Sequence, residues 1–145
     1  MRVIFQRVSK SQVLINRVVK ASIGQGLVVF LGIENEDTEE KADYLVNKIS
    51  NMRIFEDDDG KMNLSLLDIN GQAIIVSQFT LMANTRKGNR PSFIDAAPPE
   101  IANPLVDYFI MKMNSQGIDT QSGEFAAHML VEIHNDGPVT IQLQR

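Results

Sequence analysis

Residues 27–52, LVVFLGIENEDTEEKADYLVNKISNM, change hydrophobic period once, and that change decides the fold class. Leu27 to Ile33 is an unbroken apolar run of strand length, suited to a β-strand covered on both faces. From Asp37 the apolar residues recur at helical spacing, with Ala42, Leu45, Val46, Ile49 and Met52 on one face. Asp37 as N-cap, with Glu40 at the third helical position, gives that helix a capping-box-like start. A buried strand followed by an amphipathic helix predicts a mixed α/β protein.

Upstream, Arg2 to Val8 is rich in β-formers, Gln12 to Ile15 and Arg17 to Ala21 are short extended pieces, and Gly24 and Gly26 punctuate the turn before Leu27. Downstream, Arg53-Ile54-Phe55 returns to strand and Glu56-Asp57-Asp58-Asp59-Gly60 makes an acidic turn. An EF-hand loop with Gly60 as its sixth residue would begin at Phe55 and end at Leu66, neither a calcium ligand. Ala73 to Phe79 is a further strand, followed by a long loop through Arg86, Arg90 and Pro91. Leu105, Val106, Phe109 and Met113 mark a second helix that should stop at Gly117, with Asn103 as cap and Pro104 as first residue. A separate turn from Pro99 precedes it in this reading. His128 to His134 reads as a strand with Met129, Val131 and Ile133 on one face, then a turn, then Val139 to Gln144 as a closing strand. The expected architecture is one α/β domain over residues 1–145, a mostly antiparallel, barrel-like sheet with two main helices.

At 145 residues the chain suits one compact domain. With no cysteine it has no disulfide framework, zinc–thiolate site or thiol nucleophile. No apolar run nears the roughly 18 residues of a membrane span, and the first residues do not read as a signal peptide, so a cytoplasmic protein without membrane association is expected. A formal charge of −4 argues against broad adhesion to nucleic acid and restricts any RNA contact to a local patch. Arg86-Lys87-Gly88-Asn89-Arg90, three cations without an acid among them, is the candidate patch; the alternative is an ordinary solvated loop.

A serine or threonine nucleophile needs a base, and the chain offers only His128 and His134. Six residues apart on one strand, they would lie about 20 Å apart, too far to share a metal, and neither belongs to an HExxH pattern; no metal or cofactor is expected. Ser77 has no Gly-x-Ser-x-Gly elbow around it. What remains is the polar end of an apolar strand, Ser77-Gln78-Phe79-Thr80, where Ser77 and Phe79 would share one face. It reads either as a plain strand end or as a place where backbone amides form an oxyanion hole. Asn135-Asp136-Gly137-Pro138 reads either as a tight strand connection or, through Gly-Pro, as a cis peptide bond.

Taken in order along the chain, Gln6-Arg7-Val8, Arg53-Ile54-Phe55 with Gly60 to Asn63, Val76 to Leu81, Arg90-Pro91-Ser92-Phe93, Thr120 to Gly123 with Phe125-Ala126-Ala127 and Met129, and Asn135 to Thr140 resemble the D-aminoacyl-tRNA deacylase family. Ser122-Gly123 stands where Thr-Gly is expected. The resemblance implies a homodimer in which a cis Gly137-Pro138 bond of one subunit enters the other's pocket beside Ser77, Gln78, Phe79 and Thr80. Arg7 would hold that loop, Phe125 and Met129 would lie near the pocket, and the aminoacylated tRNA 3′ end would occupy it. It further implies ester hydrolysis of D-aminoacyl-tRNA, glycyl-tRNA included, by backbone amides and the substrate's 2′-hydroxyl. Thr80 as nucleophile stays open, as does a noncatalytic RNA-binding module using Arg86, Lys87 and Arg90.

Overall fold

The sheet is built around β1 (Arg2–Ile15) in this computed structural model, which describes residues 1–145. The first half of β1 pairs antiparallel with β3 (Gly26–Gly32) and the second half with β2 (Val18–Ile23), while β8 (Leu130–Gln144) pairs antiparallel along its other edge. β6 (Gln72–Ser77) joins β3, and β7 (Thr120–Ser122) joins β6, both parallel. The sheet then curls back on itself through side chains. The Ser22 amide donates to Gln121 Oε1 at 2.9 Å, Gln121 Nε2 donates to the Ser22 carbonyl at 2.8 Å, and the Gly24 amide donates to Gln72 Oε1 at 2.8 Å. A nearly closed barrel results, with helices α1 (Glu39–Asn51) and α2 (Pro99–Ser115) packed outside it and a small hairpin of β4 (Phe55–Glu56) and β5 (Met62–Leu64). The expected α/β class, barrel-like sheet and two helices are all present. No helix is long and apolar enough to cross a membrane.

Alternation along the central strands divides the core in two. Leu27, Val29 and Leu31 of β3 and Ala73 and Ile75 of β6 face the helices, against Leu45, Ile49, Val106 and Phe109. Val28, Ile74 and Val76 point into the barrel with Val8, Val13, Ala21 and Ile23. A strand buried on both faces has no polar side, which is why 27–33 is continuously apolar.

Several boundaries differ from expectation, each for a local reason. Arg2–Val8 and Gln12–Ile15 are one strand; exposed Ser9 and Lys10 mark an irregularity in its pairing with β8, not a strand end. Arg17 lies in a two-residue hairpin turn, with φ 51° at Asn16 and 67° at Arg17. Thr38, not Asp37, occupies the N-cap of α1; the Asp37 carboxylate instead accepts from the Glu34 amide at 2.7 Å and pairs with Lys41 at 3.0 Å. α2 starts at Pro99 and runs through Pro104, whose exposed side lets water satisfy the carbonyl left without an N–H partner. It ends at Ser115, with Gly117 in a left-handed conformation at φ 87°. His128 precedes β8 and is not part of the strand. The turn expected at Asn135–Pro138 is a bulge within the continuous β8: Thr140 pairs with Gln6 and Asn135 with Val8, so the residues between them bow out opposite Arg7.

Candidate active site

Where β6 runs out, the chain changes direction. The Gln78 amide still donates to the Leu31 carbonyl at 2.8 Å, extending the parallel ladder by one residue, and Phe79–Met82 then form one turn of 3₁₀-helix. Ser77 and Phe79 therefore do not share a strand face. The first N–H groups of a helical turn have no carbonyl partner within it, and here those belong to Phe79 and Thr80. The turn is tied down by Leu81 N–H to the Gln78 carbonyl at 3.2 Å, Ala83 N–H to the Thr80 carbonyl at 3.1 Å, and Arg2 Nη1 to the Leu81 carbonyl at 3.1 Å. Gln78 Nε2 donates to the Thr80 hydroxyl.

Beside this turn lies a cavity of about 560 Å³, walled mostly by apolar residues. Ser77, Gln78 and Phe79 form one side, Ala96, Ala97 and Ala102 another, and Phe125 to Met129 the third. Ala126 has φ 61°, a left-handed conformation uncommon for a residue with a Cβ, at the point where that wall bends. A pocket of this size, apolar with a few polar groups at one end, can enclose a nucleoside-sized ligand and hold a developing oxyanion on main-chain donors.

The structure thus brings Ser77, Gln78, Phe79, Phe125 and Met129 to one cavity, while Thr80, the next residue along the chain, is not among its lining residues. It also puts His128 there, which the sequence placed on a strand and outside any metal site. His128 makes no hydrogen bond to Ser77 or Thr80. The Ala96–Ala97 wall carries no signal in sequence, because small apolar residues in loops look the same whether or not they line a cavity, and Ala126 enters only through the resemblance of Phe125-Ala126-Ala127.

Gly137 and Pro138 do not line the cavity of their own chain. They project with Asp136, all three exposed, from the bulge in β8, and their peptide bond is cis, as the resemblance implies. The bulge is braced from two directions. Asn135 closes its neck, accepting from the Val139 amide at 3.1 Å and donating to the Thr140 hydroxyl at 3.1 Å. From beneath, the buried Arg7 donates from Nε to the Asp136 carbonyl at 3.1 Å and from Nη1 to the Ile54 carbonyl at 2.7 Å, with Glu56 at 3.6 Å and the Asp136 carboxylate at 3.4 Å. Glu56, read in sequence as part of an acidic turn, is one of Arg7's two acidic neighbours. Arg86, Lys87 and Arg90 are exposed on the loop between Asn84 and Ser92 and do not line the cavity.

A small α/β protein with a nearly closed barrel, an apolar cavity edged by main-chain donors and a separately braced projecting loop is the class these features define. The chain belongs to the D-Tyr-tRNA(Tyr) deacylase family, whose model matches residues 4–144. A protein of Clostridioides difficile (strain 630) named D-aminoacyl-tRNA deacylase is 50% identical over 143 residues, covering 99% of this chain and 96% of its own. One of the same name from Roseiflexus sp. (strain RS-1) is 53% identical over 143 residues, covering 99% and 92%. Among solved structures, one described as a c-Myc DNA unwinding element binding protein superposes with TM-score 0.93 at 38% identity, covering 100% of this chain and 99% of its own. Another, described as a probable eukaryotic D-amino acid tRNA deacylase, has TM-score 0.83 at 20% identity over 98% and 97% of the two chains, a likeness of fold.

Proposed function

We propose that the chain is a hydrolase that cleaves the ester of D-aminoacyl-tRNA, releasing free tRNA and the D-amino acid. Membership of the family and relatives of that name at about half identity over nearly the whole chain support the activity. The observation that carries the mechanism is the 3₁₀ turn that begins at Phe79, a residue lining an apolar cavity, with the Phe79 and Thr80 amides unpartnered within that turn.

In this reading the 3′-terminal nucleoside and its ester occupy the cavity. A water attacks the ester carbonyl carbon, and the oxygen that becomes negative is held by the two amides. When the tetrahedral species collapses, the C–O bond to the ribose 3′-oxygen breaks. That oxygen leaves with a proton delivered from the attacking water by way of the neighbouring 2′-hydroxyl. An aminoacyl ester is already activated, so orientation and oxyanion stabilisation suffice without a side-chain base.

Selection by chirality falls to the bulge of a second copy of the chain. Asp136–Pro138 stand out from β8, where Arg7 and Asn135 fix them, and do not reach the cavity of their own chain. A second copy can bring these main-chain atoms over that cavity, where they collide with an L side chain. A D side chain points elsewhere, and glycine has none, so glycyl-tRNA passes the same barrier. Exclusion of this kind recognises no particular side chain, and one enzyme clears many D-aminoacyl species. The aminoacylated 3′ end, a homodimer with shared sites and a cytoplasmic location belong to the same reading.

A noncatalytic nucleic-acid-binding module is the second reading, favoured by the exposed cations of the Asn84–Ser92 loop and by the description of the 38% identical solved structure. Incubation with an excess of D-tyrosyl-tRNA separates the two. Release of free D-tyrosine at catalytic enzyme concentrations supports the hydrolase; binding of the intact ester without release supports the module.

A further inference from the structure

Phe79, 56% exposed, lines the cavity, and the Phe93 ring meets its ring edge-on, with centroids 5.1 Å apart and planes at 72°. An aromatic held this way keeps its orientation while leaving part of its surface to solvent. The chain between the two rings leaves the cavity and returns: Asn84 and Ser92 exchange backbone hydrogen bonds of 2.8 and 3.0 Å, closing a hairpin whose residues Asn84 to Arg90 are all exposed. Arg86, Lys87 and Arg90 make no ion pair. From Ile69 to Ile94 there is no acidic residue, in a chain with 18 acids and a net charge of −4. At the root of the hairpin, a groove of about 320 Å³ runs between Arg2, Asn84, Thr85 and Arg86, with Asp95 its one acid; Arg2 pairs with Glu34 at 2.8 Å while its buried Nε has no hydrogen-bond partner, so the free charge lies on the hairpin.

Along one stretch of chain, then, a cavity-lining ring packed on a second ring brackets an exposed hairpin that carries three unpaired cations. That arrangement matches single-stranded nucleic acid, whose bases stack on aromatic side chains while its phosphates follow positive charge. We propose that Phe79 and Phe93 form a stacking platform for the unpaired nucleotide just upstream of the esterified one, and that the Asn84–Ser92 hairpin neutralises the phosphates leading to it. The inference rests on the deacylase reading for the identity of the RNA but not for its geometry. Phe79 then serves twice, its amide turned to the ester and its ring to the neighbouring base. The same layout gives the 3′ tail a direction, entering past the hairpin and ending in the cavity.

The probe is an uncharged RNA minihelix with a single-stranded 3′ tail carrying 2-aminopurine at the penultimate position, titrated into the full chain. Stacking quenches its fluorescence. Phe93→Leu is expected to remove most of the quenching and weaken binding about tenfold, and Phe93→Tyr, which keeps the ring, to restore both. Replacing Arg86, Lys87 and Arg90 together by Gln should lower the slope of log K against log salt by about 2. Quenching and affinity within about twofold of the parent in Phe93→Leu, or an unchanged salt slope, overturn the proposal. A parallel turnover assay separates it from the reading on which it rests. For the parent, extending D-aminoacyl-adenosine to D-aminoacyl-tRNA should raise kcat/KM by about tenfold or more through KM, and Phe93→Leu should lose most of that gain. If neither ester is cleaved while the minihelix stacks as expected, the deacylase reading fails and the platform stands. If both are cleaved and the gain does not depend on Phe93, the platform fails and the reading stands.

Discussion

Thr80 and His128 are the two side chains that could turn the proposed backbone mechanism into a conventional one. The Thr80 hydroxyl is engaged by Gln78, and no hydrogen bond links it to His128, although His128 lines the same cavity as Ser77. Thr80→Ala and His128→Gln should therefore each keep at least about a tenth of the parent kcat/KM on D-tyrosyl-tRNA, whereas loss of a true nucleophile or base costs about 10³-fold. A fall of that size in either variant would sink the backbone mechanism. Gly137 is constrained differently: its φ is 122°, and an added Cβ would sit 2.9 Å from Arg7 Nη2 and 2.9 Å from Val139 Cγ2. Gly137→Ala should shift the bulge, costing roughly 1–2 kcal/mol of stability and lowering the preference for D over L esters at least about tenfold. A thermal melt read beside both deacylation rates checks this, and an unchanged preference contradicts the role given to the bulge. The importance of Arg7 comes to the sequence reader only through the resemblance. Its partners Ile54 and Asp136 are engaged through main-chain carbonyls, which no side-chain pattern records.

At the scale of elements, the strands buried on both faces and the apolar face of α1 were legible because burial and periodicity agree there. The misread boundaries share another cause, that tertiary contacts override a local signal. Asp37 looks like a cap, but its buried carboxylate is taken by the Met1 amino group, 36 positions away, as well as by Glu34 and Lys41; Pro104 looks like a helix start, but α2 tolerates it on its wet side. The turn-like Asn-Asp-Gly-Pro is held in one strand by pairing with β1 on either side of it. Smaller turns are stapled by carboxylates. Asp57 is held below the usual carboxyl range chiefly by the Asn63 side chain, and Asp68 chiefly by the Ser65 hydroxyl. A carboxyl depressed in the folded state lends stability that is whole above its unfolded value, about 4, and is lost as pH falls through the folded value. The urea midpoint of the parent should accordingly fall more steeply below about pH 4 than that of Asp68→Asn, and equal slopes would contradict the linkage.

For the whole molecule, the proposed site is complete only when the cavity of one chain meets the bulge of another. One exposed apolar pair is available for such a contact: Leu130 and Val19, 59% and 51% exposed, lie either side of Leu14, with which both pair. Blocking the cavity with Ala127→Trp and displacing the bulge with Gly137→Val should each abolish chiral editing. Mixing the two variants under conditions that exchange subunits should restore it, because half of the sites in a mixed dimer then combine an intact cavity with an intact bulge. No recovery on mixing would argue for a site contained in one chain. The most direct test of the central claim is the ratio of deacylation rates for D-tyrosyl-tRNA and L-tyrosyl-tRNA with the same enzyme. A preference for the D ester of at least about a hundredfold, roughly 3 kcal/mol, is expected, and equal rates would contradict it.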